Sequence, residues 1–159
     1  MLFEPVASRR NLGWQPIWFV LWLAATGIGL ALHPDPSGHG THQELGLPPC
    51  PSALLFDRPC PGCGLTTSWT ALLHGHVHEA FSAHPLGPIL YLLFTASAVL
   101  AIYGFWNVQR VVLDSRPMSR FLMVATLIFV GFGIVRMAVT PHYRSAHEQE
   151  LLSRMSTGQ

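Results

Sequence analysis

The stretch LGPILYLLFTASAVLAIYGFW, residues 86–106, carries no charged side chain and decides the fold. A bilayer core of ~30 Å takes about 20 helical residues to cross, and this run has that length. Pro88 suits a first helical turn, where a missing N–H costs nothing. Tyr91, Tyr103 and Trp106 stand toward the two ends, where amphipathic rings meet lipid headgroups. Downstream, residues 121–139 are apolar except for Arg136, which can snorkel to the interface. Upstream, residues 14–32 form another charge-free run, with Trp14, Trp18 and Trp22 expected as interfacial anchors. A cleaved signal peptide is the rival reading of that run, because Arg9-Arg10 resembles a basic leader. No small-x-small cleavage site follows Leu32, which favours a retained helix.

The composition agrees. The chain has 159 residues, room for one domain, and only 11% of them are charged. Soluble domains carry roughly 25%. All nine basic residues are arginine, and the formal net charge of +1 excludes the basic footprint of a nucleic-acid binder. Arg9 and Arg10 precede the first span, and Arg110, Arg116 and Arg120 lie between the second and third. With three spans these two regions share a side, which the positive-inside rule makes cytoplasmic. The expected layout is therefore a cytoplasmic N-terminus (1–13), a span (14–32), an outward loop (33–85) and a span (86–106). A cytoplasmic Arg-rich linker (107–120), a span (121–139) and an outward polar tail (140–159) complete it. The tail is expected to fray.

Within the loop, residues 65–83 read as a helix that does not cross the bilayer. Leu65, Trp69, Leu72, Leu73, Val77, Ala80 and Phe81 recur at three- and four-residue intervals, one apolar face. Gly75 is a weak point that can divide it, the second piece starting near His76. Such a helix lies at the interface or re-enters the protein. A fourth true span would have to bury His74, His76, His78 and Glu79 in lipid, at high cost. Gly27 and Gly29, and Gly131 and Gly133, are expected to permit close helix approach.

All three cysteines, Cys50, Cys60 and Cys63, lie together among prolines and glycines just before that helix. Cys60-Pro61-Gly62-Cys63 lets two sulfurs converge from one tight turn, and three thiolates with one histidine would make a zinc site. His74 and His78, one helical turn apart, are the first candidates for that histidine, followed by His76 and His84. A disulfide from Cys50 to Cys60 or Cys63 would close a short loop, stabilising it by ~2–3 kcal/mol. A Cys60/Cys63 redox pair is the third reading, without the strand-helix context of thioredoxin. The plainest is that Pro61, Gly62 and Gly64 shape a turn and the thiols are small buried groups. His33, His39 and His42 are expected to be solvated loop residues. His74, His76 and His78 could titrate near neutrality. No Gly-x-Ser-x-Gly elbow, phosphate-binding Gly loop or His-Glu-x-x-His motif is present.

Cys50-Pro51, Pro59-Cys60-Pro61-Gly62-Cys63-Gly64-Leu65-Thr66, Ala71-Leu72-Leu73-His74-Gly75, Ala80-Phe81 and His84-Pro85 together resemble the bacterial membrane family called domain of unknown function 2752. The resemblance implies a small helical membrane protein of bacterial origin and supplies no activity. The chain departs from the family pattern at Thr67, where relatives carry Arg, and at His84, where they carry Asn. The resulting expectation is an all-α, multi-pass protein of the bacterial inner membrane. It has three spans and an interfacial or re-entrant helix after a Cys-rich loop. Its expected partners are the lipid bilayer and other membrane proteins or further copies of itself. A non-enzymatic accessory or assembly subunit is the favoured role. The alternative is a zinc-type or thiol-redox protein using Cys50, Cys60, Cys63 and a histidine.

Overall fold

The computed structural model describes residues 3–8, 12–112 and 116–157. Three helices are long and apolar enough to cross a membrane: α1 (Trp14–Ala31), α5 (Gly87–Trp106) and α6 (Arg116–Val139). Between α1 and α5 come a short 3₁₀ turn (Thr41–Leu45), α2 (Pro51–Phe56), α3 (Leu65–Leu73) and α4 (Val77–Ala83). The chain closes with α7 (Ala146–Thr157). Strand β1 (Phe3–Pro5) pairs antiparallel with β2 (Gln109–Val111), bringing Glu4 opposite Arg110. The N-terminal segment and the α5–α6 linker thus lie at one end of the bundle, and the Cys-rich loop at the other. Arg9 and Arg10, on which the orientation partly rests, lie outside the described residues.

Helices α1 and α5 run antiparallel along a polar seam. The Trp18 indole donates to Ser97 Oγ at 3.0 Å and the Trp22 indole to Thr95 Oγ1 at 3.0 Å. The Thr26 and Tyr91 hydroxyls meet at 2.9 Å. This corrects the expectation of Trp18, Trp22 and Tyr91 as interfacial anchors. The facing helix supplies the partner for each polar group, as between helices in membranes. At the linker end the buried Gln15 donates to Gln109 O.

Residues 65–83 form two pieces. Gly75 adopts φ +81°, the left-handed region, and α4 begins at Val77 immediately after it. Neither piece is long enough to span. Both fold against the bundle: the Trp69 indole donates to Gly87 O and its ring packs on Tyr91 and Phe94, while Ser68 Oγ donates to Ala80 O. Gly29 admits the Leu73 side chain, as expected for a small residue at a close approach, whereas Gly27 and Gly131 face open space.

Helix α6 starts at Arg116, earlier than the apolar run alone implied, and only Gly133 along it is buried. Leu127 and Ile128 remain 64% and 58% exposed, a lipid-like surface rather than a core. Its C-terminal end alone is gripped, by the Cys-rich loop. Two expectations fail there. Arg136 does not snorkel away. It donates to Cys63 O at 2.7 Å and Ala83 O at 2.8 Å, with Tyr143 beneath its guanidinium. The charged guanidinium bonds both carbonyls, and such charge-assisted bonds outweigh the ordinary drift toward headgroups. The tail is also ordered through residue 157, because α7 anchors itself by the fully buried Glu148.

Candidate metal centre

Local chain geometry brings the three cysteines together. Cys50 is the N-cap of α2, and Pro51 behind it takes the first helical position, where its fixed φ suits the helix. Cys60 and Cys63 close a tight turn through Cys63 N–H to Cys60 O at 3.1 Å, with Cys60 N–H directed at Cys63 Sγ. Gly64 then enters α3 at φ +82°, and a side chain there would strike the carbonyls of Ala83 and Gly38. Glycine is required on both counts.

Neighbouring elements fix this turn from behind. Pro61 lies directly on Gly133 of α6, where any side chain would collide with its ring. The fully buried His84 holds Pro61 O through Nε2 at 3.0 Å, stacks on Phe129 and meets Phe132 edge-on. Arg58 donates to the last carbonyls of α6, Met137 and Ala138, where a cation complements the helix terminus. The segment after α6 returns over α2: Asp57 accepts from Arg144 N–H, and Arg144 Nε donates to Ala53 O. Arg144 and its backbone bond hold the Asp57 carboxyl below its usual range.

The result is a triangle of sulfurs, with Cys63 3.1 Å from both Cys50 and Cys60, and Cys50 to Cys60 3.5 Å. All three thiols are free, and their ligand atoms lie within 4.8 Å of one another. A tetrahedral zinc with Zn–S of ~2.3 Å needs sulfurs roughly 3.8 Å apart. The triangle is therefore tight by about 0.7 Å on two edges and about 0.3 Å on the third, which side-chain rotation can relieve, and too wide for any disulfide bond of ~2.05 Å.

The electrostatics are asymmetric. Burial works against a Cys50 thiolate, but bonds from the Cys63 thiol, the Ala53 amide, the Cys60 thiol and the Ser52 amide outweigh it and lower its pKa. Burial pushes the Cys63 thiol well above its usual range, and its bonds to Cys60 and Cys50 push the same way. Of these two, Cys50 is the more readily ionised, with the Cys63 thiol as donor to it. A divalent cation would reverse this ordering, since a coordinating thiol is deprotonated outright.

The histidines expected to complete the set do not join it. His74 caps α3 and bonds the Thr70 carbonyl of its own helix. Nine residues of α3 separate it from the cysteine turn, about 14 Å at 1.5 Å per residue. His78 is exposed on α4, and the break at Gly75 destroys the one-turn relation between His74 and His78. His76 pairs with Glu79 at 3.3 Å. His84 lies behind the Pro61 carbonyl, its pKa depressed by burial. Two loop histidines expected to be solvated, His39 and His42, line the site instead. A cleft of about 350 Å³ opens in front of the sulfurs, lined by Cys50, Cys60, Cys63, His39, His42 and Thr66. His39 is buried, stacked on Tyr143 and bonded to Glu148 at 3.0 Å. No sequence signal marked these two, because their approach depends on how the 33–49 loop returns across α3.

Fold and site together define a helical protein with three candidate membrane spans and a thiol cluster at one end of its bundle. Residues 50–98, roughly a third of the chain, match the family model described as Protein of unknown function (DUF2752), the family whose motif was read from Cys50 through Pro85. No curated protein and no solved structure matches the chain.

Proposed function

We propose that Cys50, Cys60 and Cys63 form a zinc-type metal site that locks the loop of a small, non-enzymatic bacterial inner-membrane protein onto the end of α6. One observation carries this: three free sulfurs from two separate turns converge within 3.1–3.5 Å. Three free thiols in mutual contact, Cys63 among them buried, present a ready ligand set for one shared ion. A metal would contribute folding energy directly, as structural zinc does. The pairing of Phe3–Pro5 with Gln109–Val111 supports a common side for the N-terminus and the Arg-rich linker. The positive-inside rule then makes that side cytoplasmic and the thiol cluster outward. The lipid-like surface of α6 supports a role beside other membrane helices.

Thiol redox is the second reading, favoured by sulfur contact and by the opposed Cys50 and Cys63 acidities. Metal content and free thiols, measured together on protein purified anaerobically in mild detergent, decide between them. About one zinc per chain, lost in Cys60→Ser and Cys63→Ser, supports the metal site. Metal-free protein with two thiols oxidised refutes it and leaves the redox reading.

A further inference from the structure

We infer that His42 supplies the fourth ligand of this site, an inference that rests on the metal-binding reading above. A three-thiolate set leaves one tetrahedral position open, and all three cysteines line the cleft. Two imidazoles line it, His39 and His42. His39 is committed: Nε2 meets Glu148 and Nδ1 lies 3.3 Å from Ser37 O, with the ring pinned against Tyr143.

His42 differs. Its Nε2 meets the Pro48 carbonyl at 3.2 Å, two residues before Cys50. A carbonyl can only accept, so Nε2 carries the proton and a neutral ring keeps its lone pair on Nδ1. Among the described residues Nδ1 has no partner. Metal-bound histidines show this arrangement, one ring nitrogen donating to a backbone carbonyl and the other on the ion. Here that carbonyl belongs to the segment that delivers Cys50.

The ring lines the same cleft as the three cysteines, outside the sulfur cluster itself. The 3₁₀ turn Thr41–Leu45 that carries it is flanked by Gly40 at φ +100° and Gly46 at φ +74°, both left-handed. Thr41 ties its base to α3 through Thr67 Oγ1 at 2.9 Å, one turn beyond Cys63. With a bound ion, this imidazole would turn the three-sulfur site into a Cys₃His one. The Thr67 hydroxyl is what ties the turn to α3 in this chain.

The test uses the full-length protein in detergent, loaded with zinc and, separately, with cobalt(II). Affinity is read by chelator competition and coordination by the cobalt ligand-field spectrum. His42→Ala is expected to weaken zinc at least as much as losing an outer partner does, about 10–100-fold, and to change the cobalt spectrum. His42→Gln keeps a donor for Pro48 O but offers no imidazole, and is expected to behave like His42→Ala. His42→Cys is expected to restore tight binding with a four-sulfur spectrum. The inference is overturned if His42→Ala leaves both readouts unchanged. It is also overturned if His42→Gln retains wild-type affinity, which would mark a purely structural role. Wild-type protein that takes up no metal overturns the metal site itself, and the two failures are thereby distinguishable.

Discussion

Replacing Arg136 with methionine keeps the stem of the side chain and removes two of the bonds that join α6 to the thiol loop and the end of α4. Both are charge-assisted and short, 2.7 Å to Cys63 O and 2.8 Å to Ala83 O. Hydrogen bonds to charged groups contribute about 1.5–3 kcal/mol each. Arg136 is half-buried, so the lower end applies and the pair comes to about 3 kcal/mol. That energy holds the loop closed over Cys63, which is only 6% exposed. Labelling of Cys63 in the metal-free protein therefore requires local opening, and its rate follows the open population. A loss of about 3 kcal/mol raises that population roughly 100-fold, at ~1.4 kcal/mol per factor of ten. The assay is mass-resolved alkylation at each cysteine, with the more accessible Cys50 as internal reference. A change below about threefold in the Cys63-to-Cys50 ratio would refute the clamp, since that corresponds to well under 1 kcal/mol.

Three other outcomes follow from the same contacts. Gly133→Val drives a side chain into Pro61 and should cost about 1–3 kcal/mol of stability, as overpacking does; Gly131→Ala faces open space and should be neutral or slightly stabilising in the same thermal melts. In the metal-free protein, alkylation should begin at Cys50 at lower pH than at Cys63, because the Cys50 pKa is lowered and that of Cys63 raised; equal profiles would contradict the asymmetry. The Glu148 pKa is also lowered: burial opposes its charge, but His39 and Ser145 more than compensate. A carboxyl depressed in the folded state stabilises above its unfolded pKa of about 4.3, and that contribution disappears as pH falls through the folded value. Protease sensitivity after α6 should therefore be constant near neutrality and rise in acid, and Glu148→Gln should show the raised sensitivity already at pH ~7, with less further change in acid.

The architecture was legible because lipid imposes a simple rule, a charge-free run of about 20 residues. The division of 65–83 was equally legible, since Gly75 is both a poor helix former and free to take φ +81°. Arg136 was misread: an arginine near a span's end ordinarily reaches headgroups, and only the folded loop reveals carbonyls of Cys63 and Ala83 within its reach. The cysteines were found by their spacing, but the wrong histidines were set beside them. Helical periodicity pointed to His74 and His78 because it describes contacts within one helix. The approach of His39 and His42 depends on a loop crossing α3 through Thr41 and Thr67, a long-range contact with no periodic trace. Glu148 was hidden for the same reason, its partner His39 being 109 residues away.

The central claim is that one ion is shared by Cys50, Cys60 and Cys63. X-ray absorption at the zinc edge of anaerobically purified protein tests it most directly. The account predicts three sulfur neighbours at ~2.3 Å and one lighter ligand. A zinc shell of oxygen and nitrogen alone, or protein devoid of metal with a disulfide among the three cysteines, would contradict it.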